Sequence, residues 1–320
     1  MTTYTYDIGE VNQEGLDRNL ELPCSTLFKL FQSARMRLPW IGAAYEDFRN
    51  EQPEDPHRRL VVKSQGLSLT EAGICTTPLH KSVRTKVLLA DVGTTSIEFR
   101  YHVYYDNILV ARGCAVMVSV TGPPGSLKPT PVPRRVADLA PSARASSYLM
   151  ASKPSLRNVL QPLSNIRPDF NPLTFETTFV VRFSDEDANK HANHTFLIRL
   201  VEDTLACARA TKGEVSALAK FFIYNTLRGI AMTYMHEAHA MDVVRIRLIE
   251  RPNEDGELDE DGNTGSGSTT DDDKKSEIEF DVVVCKILRA VKGTVADTIL
   301  ARGVVVLAMP KDESSDAGRL

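Results

Sequence analysis

Two stretches of the chain repeat apolar residues at intervals of three and four. Leu27, Leu30, Phe31, Ala34 and Leu38 form the first, and Leu197, Leu200, Val201, Thr204, Leu205 and Ala208 the second. That period places side chains on one face of a helix, so it predicts one amphipathic helix in each half of the chain. Pro23 and Ser25 mark the start of the first helix, with Ser25 in the N-cap position. Each helix is followed by runs dense in Val, Ile, Phe and Tyr between turn residues, the pattern of β-strands. The run Gly303-Val-Val-Val-Leu-Ala-Met309 is apolar throughout and reads as a buried strand. It falls far short of the roughly 20 residues that a membrane-crossing helix needs.

These strand-forming runs occur twice. Ser96-Ile-Glu-Phe99 matches Glu277-Ile-Glu-Phe280, and Ile108-Leu-Val-Ala-Arg-Gly113 matches Ile299-Leu-Ala-Arg-Gly303. In each half the first segment opens a β-rich run and the second closes it. The order in both halves is short strand, one helix, several long strands. One helix covering an antiparallel sheet is an α+β solution. The pattern therefore points to a duplicated unit; the alternative is a single α+β domain with chance similarity.

Residues 121–174 hold ten of the 17 prolines. Proline removes backbone donors and interrupts strands and helices, so residues 123–174 read as a connector between an N-terminal unit, 1–122, and a C-terminal unit, 175–320. A helix is expected within that connector around Val136–Leu160. Residues 251–277 are acidic and rich in Gly, Ser and Thr, a composition that buries little apolar surface, so a disordered insertion is expected there.

Composition narrows the classes. A length of 320 residues suits two domains. Net charge of -4 and the lack of a basic stripe argue against nucleic acid as a partner. The five cysteines (Cys24, Cys75, Cys114, Cys207, Cys285) are odd in number and scattered. That argues against a disulfide framework and a zinc site and suggests a reducing compartment, the cytoplasm or an organelle lumen. The first ten residues lack the basic start and apolar run of a secretory signal, and they do not read as a transit peptide.

The chemistry concentrates in Arg182-Phe-Ser-Asp-Glu-Asp-Ala-Asn-Lys-His-Ala-Asn-His194, between an expected strand Phe175–Phe183 and the helix starting near Thr195. Carboxylates, amides and imidazoles crowd beside a helix N-terminus, whose amides and dipole attract developing negative charge. Capping and turn formation account for one or two of the Asp and Asn residues. The alternating positions Asp187, Asn189 and His191 would share one side of an extended segment.

Asp187-Ala-Asn189-Lys-His191 resembles the Asp-x-Asn-x-His motif of acyl-ACP thioesterases. The continuation Ala192-Asn193-His194 into the helix is similar to the His-Val-Asn-Asn signature of hotdog thioesterases, including the 4-hydroxybenzoyl-CoA type. Tyr234-Met-His-Glu237-Ala238-His239 resembles that family's Tyr-Arg-Arg-Glu-Cys-Gly segment on the next strand. In the first half, Tyr6-Asp-Ile-Gly9 and Leu27–Ala34 resemble the family's opening strand and Gln-containing helix. The sequence departs from the pattern at Lys190, His194, Met235-His236 and Ala238.

The resemblance implies a tandem hotdog, each half a helix wrapped by an antiparallel sheet, with the sheets side by side. It implies hydrolysis of acyl-ACP or acyl-CoA by activated water, with Asp187, Asn189, His191 and Glu237 catalytic and the first half forming the acyl pocket. Asn193, His194, Tyr234 and His239 would contact substrate. No metal, cofactor or cysteine nucleophile is required, and the expected partners are the acyl thioester and an acyl carrier protein. Monomer and homodimer both remain open. Arg58, Arg59, Lys81, Arg84, Lys86, Arg134 and Arg135 are candidates for coenzyme A phosphates or a carrier protein's acidic face. His236-Glu-Ala-His239 lacks the H-E-x-x-H spacing of zinc proteases. A hotdog hydratase would carry Asp-x-Asn-Pro-x-His, which the chain lacks. A non-catalytic acyl- or partner-binding scaffold is the other rival. A filled space between the first helix and its sheet would favour the scaffold.

Overall fold

The computed structural model describes residues 3–10, 23–51, 58–70, 72–73, 81–123, 126–139, 174–187, 191–210, 226–250, 280–289 and 298–308. The first half comprises β1 (Thr3–Glu10), α1 (Cys24–Met36), α2 (Pro39–Glu51), β2 (Arg59–Leu69), β3 (Ser82–Val92), β4 (Ser96–Tyr105) and β5 (Ile108–Thr121). A two-residue strand, β6 (Lys128–Pro129), and a short helix, α3 (Arg134–Ala137), follow. The second half comprises β7 (Thr174–Val180), α4 (His194–Ala210), β8 (Thr226–Tyr234), β9 (Val243–Glu250), β10 (Phe280–Arg289) and β11 (Thr298–Ala308).

All the strands belong to one sheet, ordered β1-β3-β4-β5-β2-β8-β11-β10-β9-β7, with β6 alongside β5. Each half follows the same rule: its first, third, fourth, fifth and second strands lie in that order. The two second strands meet antiparallel, from Ser64 opposite Thr233 to Ser68 opposite Gly229. The repeated segments fall on equivalent strands. Ser96 opens β4 and Phe280 opens β10; Ile108 opens β5 and Ile299 lies at the start of β11. The β-rich run begins earlier than expected, because β2 and β3, and likewise β8 and β9, precede the repeated segments.

Strand β4 shows why one face is apolar. Ile97, Phe99, Tyr101, Val103 and Tyr105 alternate inward and are buried, while the residues between them are partly open. That is the alternation of an antiparallel sheet covered on one side. Helices α1 and α4 pack against each other and against the sheet, through Leu27, Phe28, Phe31 and Ala34 on α1 and Leu197, Ile198, Val201 and Leu205 on α4. Asp106 and Asn107 both take positive φ in the two-residue β4–β5 hairpin, the conformation that such tight turns require.

The glycine of the repeated Ala-Arg-Gly has a steric cause in both halves. A Cβ on Gly113 would lie 2.2 Å from the Phe31 ring, and one on Gly303 would lie 2.5 Å from the Ala231 carbonyl oxygen. At each place a neighbour comes closer than any side chain permits.

Three local expectations are corrected. Ser25 is not the N-cap of α1: Pro23 holds that place, and the Cys24 and Ser25 amides both donate to the carboxylate of Glu202 on α4. The first half has a second helix, α2, whose Pro39 sits at the first helical position, where a missing amide costs nothing. The connector is partly structured, with β6 and α3; the expected helix at 136–160 overlaps the described residues only at its start, where α3 ends at Ala137. The acidic segment 251–277 lies outside the described residues.

Candidate active site

Strand β7 ends at Val180, three residues before the expected boundary, because the chain there pairs with the β8–β9 connection. The Val181 amide donates to Asp242 and its carbonyl accepts from Met241. One 3-10 turn, Phe183–Asp185, follows, with the Arg182 amide donating to the Asp185 carboxylate at 2.9 Å. The chain then doubles back. The Asp187 amide donates to the His191 carbonyl at 2.9 Å, and Glu186 and Ala192 form an antiparallel bridge. Asp187 and His191 therefore stand at the two ends of a closed loop rather than at alternate positions of an extended segment. Asn189, with Ala188 and Lys190, lies outside the described residues.

Glu237 is likewise not on a strand. The Met235 and His236 amides both donate to the Leu300 carbonyl, which ends the β8–β11 ladder and turns the chain out of the sheet. The Ala192 amide donates to the Ala238 carbonyl at 2.7 Å and fastens this connection to the Asp187–His191 loop. His239 is held in a turn: its amide donates to the Asp242 carboxylate at 2.8 Å.

The result places one imidazole between two carboxylates. His191 Nδ1 lies 3.7 Å from Asp187 Oδ2, and Nε2 lies 3.9 Å from Glu237 Oε1. Arg59, from β2 of the other half, brings Nη2 to 3.4 Å from the same Glu237 oxygen. These side chains are 18–23% exposed, enough to admit water and little enough to restrict its approach.

The neighbouring residues divide between scaffolding and lining. The Asn193 side-chain oxygen accepts from the Thr195 amide and hydroxyl, capping α4. Asp185 and Glu186 hold the loop, the latter accepting from the Ala240 amide at 2.7 Å. The Tyr234 hydroxyl accepts from Gln65 Nε2 at 2.6 Å and donates to the His194 carbonyl at 3.4 Å. The His194 ring meets the Tyr234 ring edge-on at 6.1 Å. Burial, then the Arg35 guanidinium and His191, push His194 down to about 3, so its imidazole is neutral at neutral pH.

Arg59 and Gln65 are the contributions that motif reasoning passed over. Gln65 gave no signal of its own, because β2 also carries Arg59, Lys63, Ser64 and Ser68. Arg59 had been grouped with cations for phosphate contact, and several of that group have local partners instead. Arg58 donates to the Pro131 carbonyl, Lys81 pairs with Asp106, Arg84 bonds Asn107, and Arg135 pairs with Asp47.

No family model and no curated protein matches the sequence. Solved structures do match over nearly the whole chain. A protein assigned as an oleoyl thioesterase from Lactobacillus plantarum shares 14% identity over 97% of this chain and 98% of its own, with a TM-score of 0.58. An acyl-ACP thioesterase from Bacteroides thetaiotaomicron shares 15% identity over 95% and 97%, with a TM-score of 0.56. The 12:0-ACP thioesterase from Umbellularia californica shares 11% identity over 96% and 98%, with a TM-score of 0.57. At these identities the likeness is one of fold: the chain has the α+β hotdog-type fold of these thioesterase structures.

Proposed function

We propose that this chain is a tandem hotdog that hydrolyses acyl thioesters, with an N-terminal unit at 1–122, a connector at 123–174 and a catalytic C-terminal unit at 175–320. The observation that carries the reading is His191 set between Asp187 and Glu237 beside the N-terminus of α4. In this reading Glu237 and His191 take the proton of a water whose oxygen attacks the acyl carbon. The C–S bond breaks, the thiolate leaves, and that proton passes to it, giving a free acid and a thiol. Asp187 orients His191, and Asn189 positions the water or the carbonyl. Arg59 holds Glu237 from across the β2–β8 seam. Tyr234, His194, Asn193 and His239 line the approach, and the thiol arm is coenzyme A or a carrier protein's phosphopantetheine.

One observation favours the binding-scaffold reading. Between α1 and its strands, Phe28, Phe31, Phe99 and Tyr101 are all buried, so the space expected to take an acyl chain holds side chains. Thiol release from acyl-CoAs and acyl-ACPs separates the two readings, with Asp187→Ala, His191→Ala and Glu237→Ala run beside wild type. Hydrolysis predicts release that each variant lowers by roughly 10²–10⁴-fold. Near wild-type turnover in both His191→Ala and Glu237→Ala refutes the assignment. No release from any thioester by folded wild type leaves the scaffold.

A further inference from the structure

The inner face of α1 ends on a charge. Arg35, one helical turn beyond Phe31, is 3% exposed. Its Nη1 donates to the Tyr101 hydroxyl at 3.0 Å, and its guanidinium carbon lies 5.8 Å from the centre of the Phe99 ring. Its Nε is buried without a hydrogen-bond partner among the described residues. Among the described residues, the groups placed against it carry no formal negative charge. Burial raises the Tyr101 hydroxyl above the ordinary phenol range, so Tyr101 stays protonated. His194, within electrostatic reach across the α1–α4 contact, is neutral. No carboxylate among the described residues pairs with Arg35. The carbonyl end of α1 supplies only partial negative charge. A buried cation with neutral neighbours is costly unless a ligand brings the anion.

The position of Arg35 says which ligand. Arg35 is 3% exposed where Asp187, His191 and Glu237 are 18–23% exposed, and it neighbours His194, the first residue of α4 after the Asp187–His191 loop, so Arg35 lies deeper than the candidate catalytic residues. A thioester held at His191 has two arms. The pantetheine arm is long and polar and must leave through the partly open side, at Asp187 and Glu237. Only the acyl arm can pass inward toward Arg35. Around and beyond Arg35 the Phe28, Phe31 and Tyr101 rings fill the core, and Phe31 presses so closely on β5 that Gly113 has no room for a Cβ.

We infer that the acyl group accepted by this site is short and ends in a carboxylate, which pairs with Arg35. The inference rests on the thioesterase reading and adds the substrate class to it. The similar structures include a 12:0-ACP thioesterase and a protein assigned as an oleoyl thioesterase; the buried charge and the filled core set this chain apart from such substrates.

The test uses matched coenzyme A thioesters: succinyl with butyryl, glutaryl with pentanoyl, and adipyl with hexanoyl. Wild type, Arg35→Lys and Arg35→Met are assayed for thiol release, and their melting is followed with and without free succinate, glutarate and adipate. The expected result is a kcat/KM at least ~10-fold higher for the carboxylated member of one pair. Arg35→Met abolishes that preference while leaving the neutral thioester within about 3-fold of wild type, and Arg35→Lys keeps part of it. Equal or better hydrolysis of the neutral members by wild type overturns the inference and leaves hydrolysis standing. So does a preference that survives in Arg35→Met. If no thioester is cleaved, stabilisation by a dicarboxylate that Arg35→Lys weakens keeps the ligand class while the reaction falls. Absence of both effects overturns both. Should Arg35→Met fail to fold, Arg35→Lys decides by the same readouts.

Discussion

Substituting Gly113 by alanine tests how tightly α1 is seated on its sheet. Gly113 lies opposite Tyr101 in the β4–β5 ladder. The Phe31 ring covers that pair, stacked on Tyr101 at 4.4 Å between centroids and meeting Phe28 edge-on at 5.7 Å. A methyl group on Gly113 would sit 2.2 Å from Phe31 Cε2 and 2.5 Å from Cζ. The ring must retreat by roughly 1 Å to restore van der Waals contact, and both neighbours block it. Overpacking of this kind costs about 1–3 kcal/mol. Because Phe31 and Arg35 share a face of α1, the displaced helix carries Arg35 with it. Urea unfolding of Gly113→Ala should show that loss, with melting lowered by about 2–4 °C per kcal/mol. Phe31→Leu should relieve the clash, so the double variant loses at least ~1 kcal/mol less than the sum of the single losses. A Gly113→Ala protein within about 0.5 kcal/mol of wild type, or strict additivity in the cycle, refutes the packing argument.

Three further outcomes follow from the same geometry. His194 is held near 3 in the folded chain against about 6.5 unfolded. Between those values the unfolded state binds the extra proton, so stability is complete above about 6.5 and falls as the pH drops. Unfolding at pH 5.5 should therefore lie about 1 kcal/mol below that at pH 7, and His194→Asn should remove most of this difference. Glu202→Ala frees the Cys24 and Ser25 amides at the start of α1 and should cost about 1–3 kcal/mol by chemical denaturation; an unchanged midpoint would show that the α4-to-α1 latch carries no weight. Tyr234→Phe removes the hydroxyl joining Gln65 to the His194 carbonyl. It should cost about 0.5–1.5 kcal/mol, and a more stable variant would contradict the role given to that bond.

Much of the fold was legible because its signals are local. The three-four spacing from Leu27 to Ala34 and from Leu197 to Ala208 reports a helix whatever surrounds it, whereas Leu38, expected on the first helix, lies between α1 and α2. The matched Ala-Arg-Gly segments reported duplication, and their glycines survive in both copies for steric reasons, although by different neighbours: an aromatic ring on α1 at Gly113, a backbone carbonyl at Gly303. Helix α2 escaped notice because Leu38-Pro39 looks like an end, while Pro39 in fact begins a new helix. Glu202 could not be read as the cap of α1, since 177 residues separate it from Ser25.

The candidate site divides along the same line. Local order along the chain was enough to gather Asp187 and His191, because one short loop holds both, and a motif was enough to single out Glu237. Their mutual placement was not readable there. The resemblance put Glu237 on a strand, yet the shared Leu300 carbonyl ends β8 and folds that segment onto the loop. Arg59 and Gln65 reach the site only because β2 and β8 pair edge to edge, a contact between strands about 170 residues apart that no local pattern encodes. Arg35 reads in sequence as one more polar residue on a helix; packing against Tyr101 and Phe99 makes it a buried charge. Period and motif are properties of neighbouring residues and survive in the unfolded chain, whereas burial, pairing and charge environment arise only when distant strands and helices close on one another.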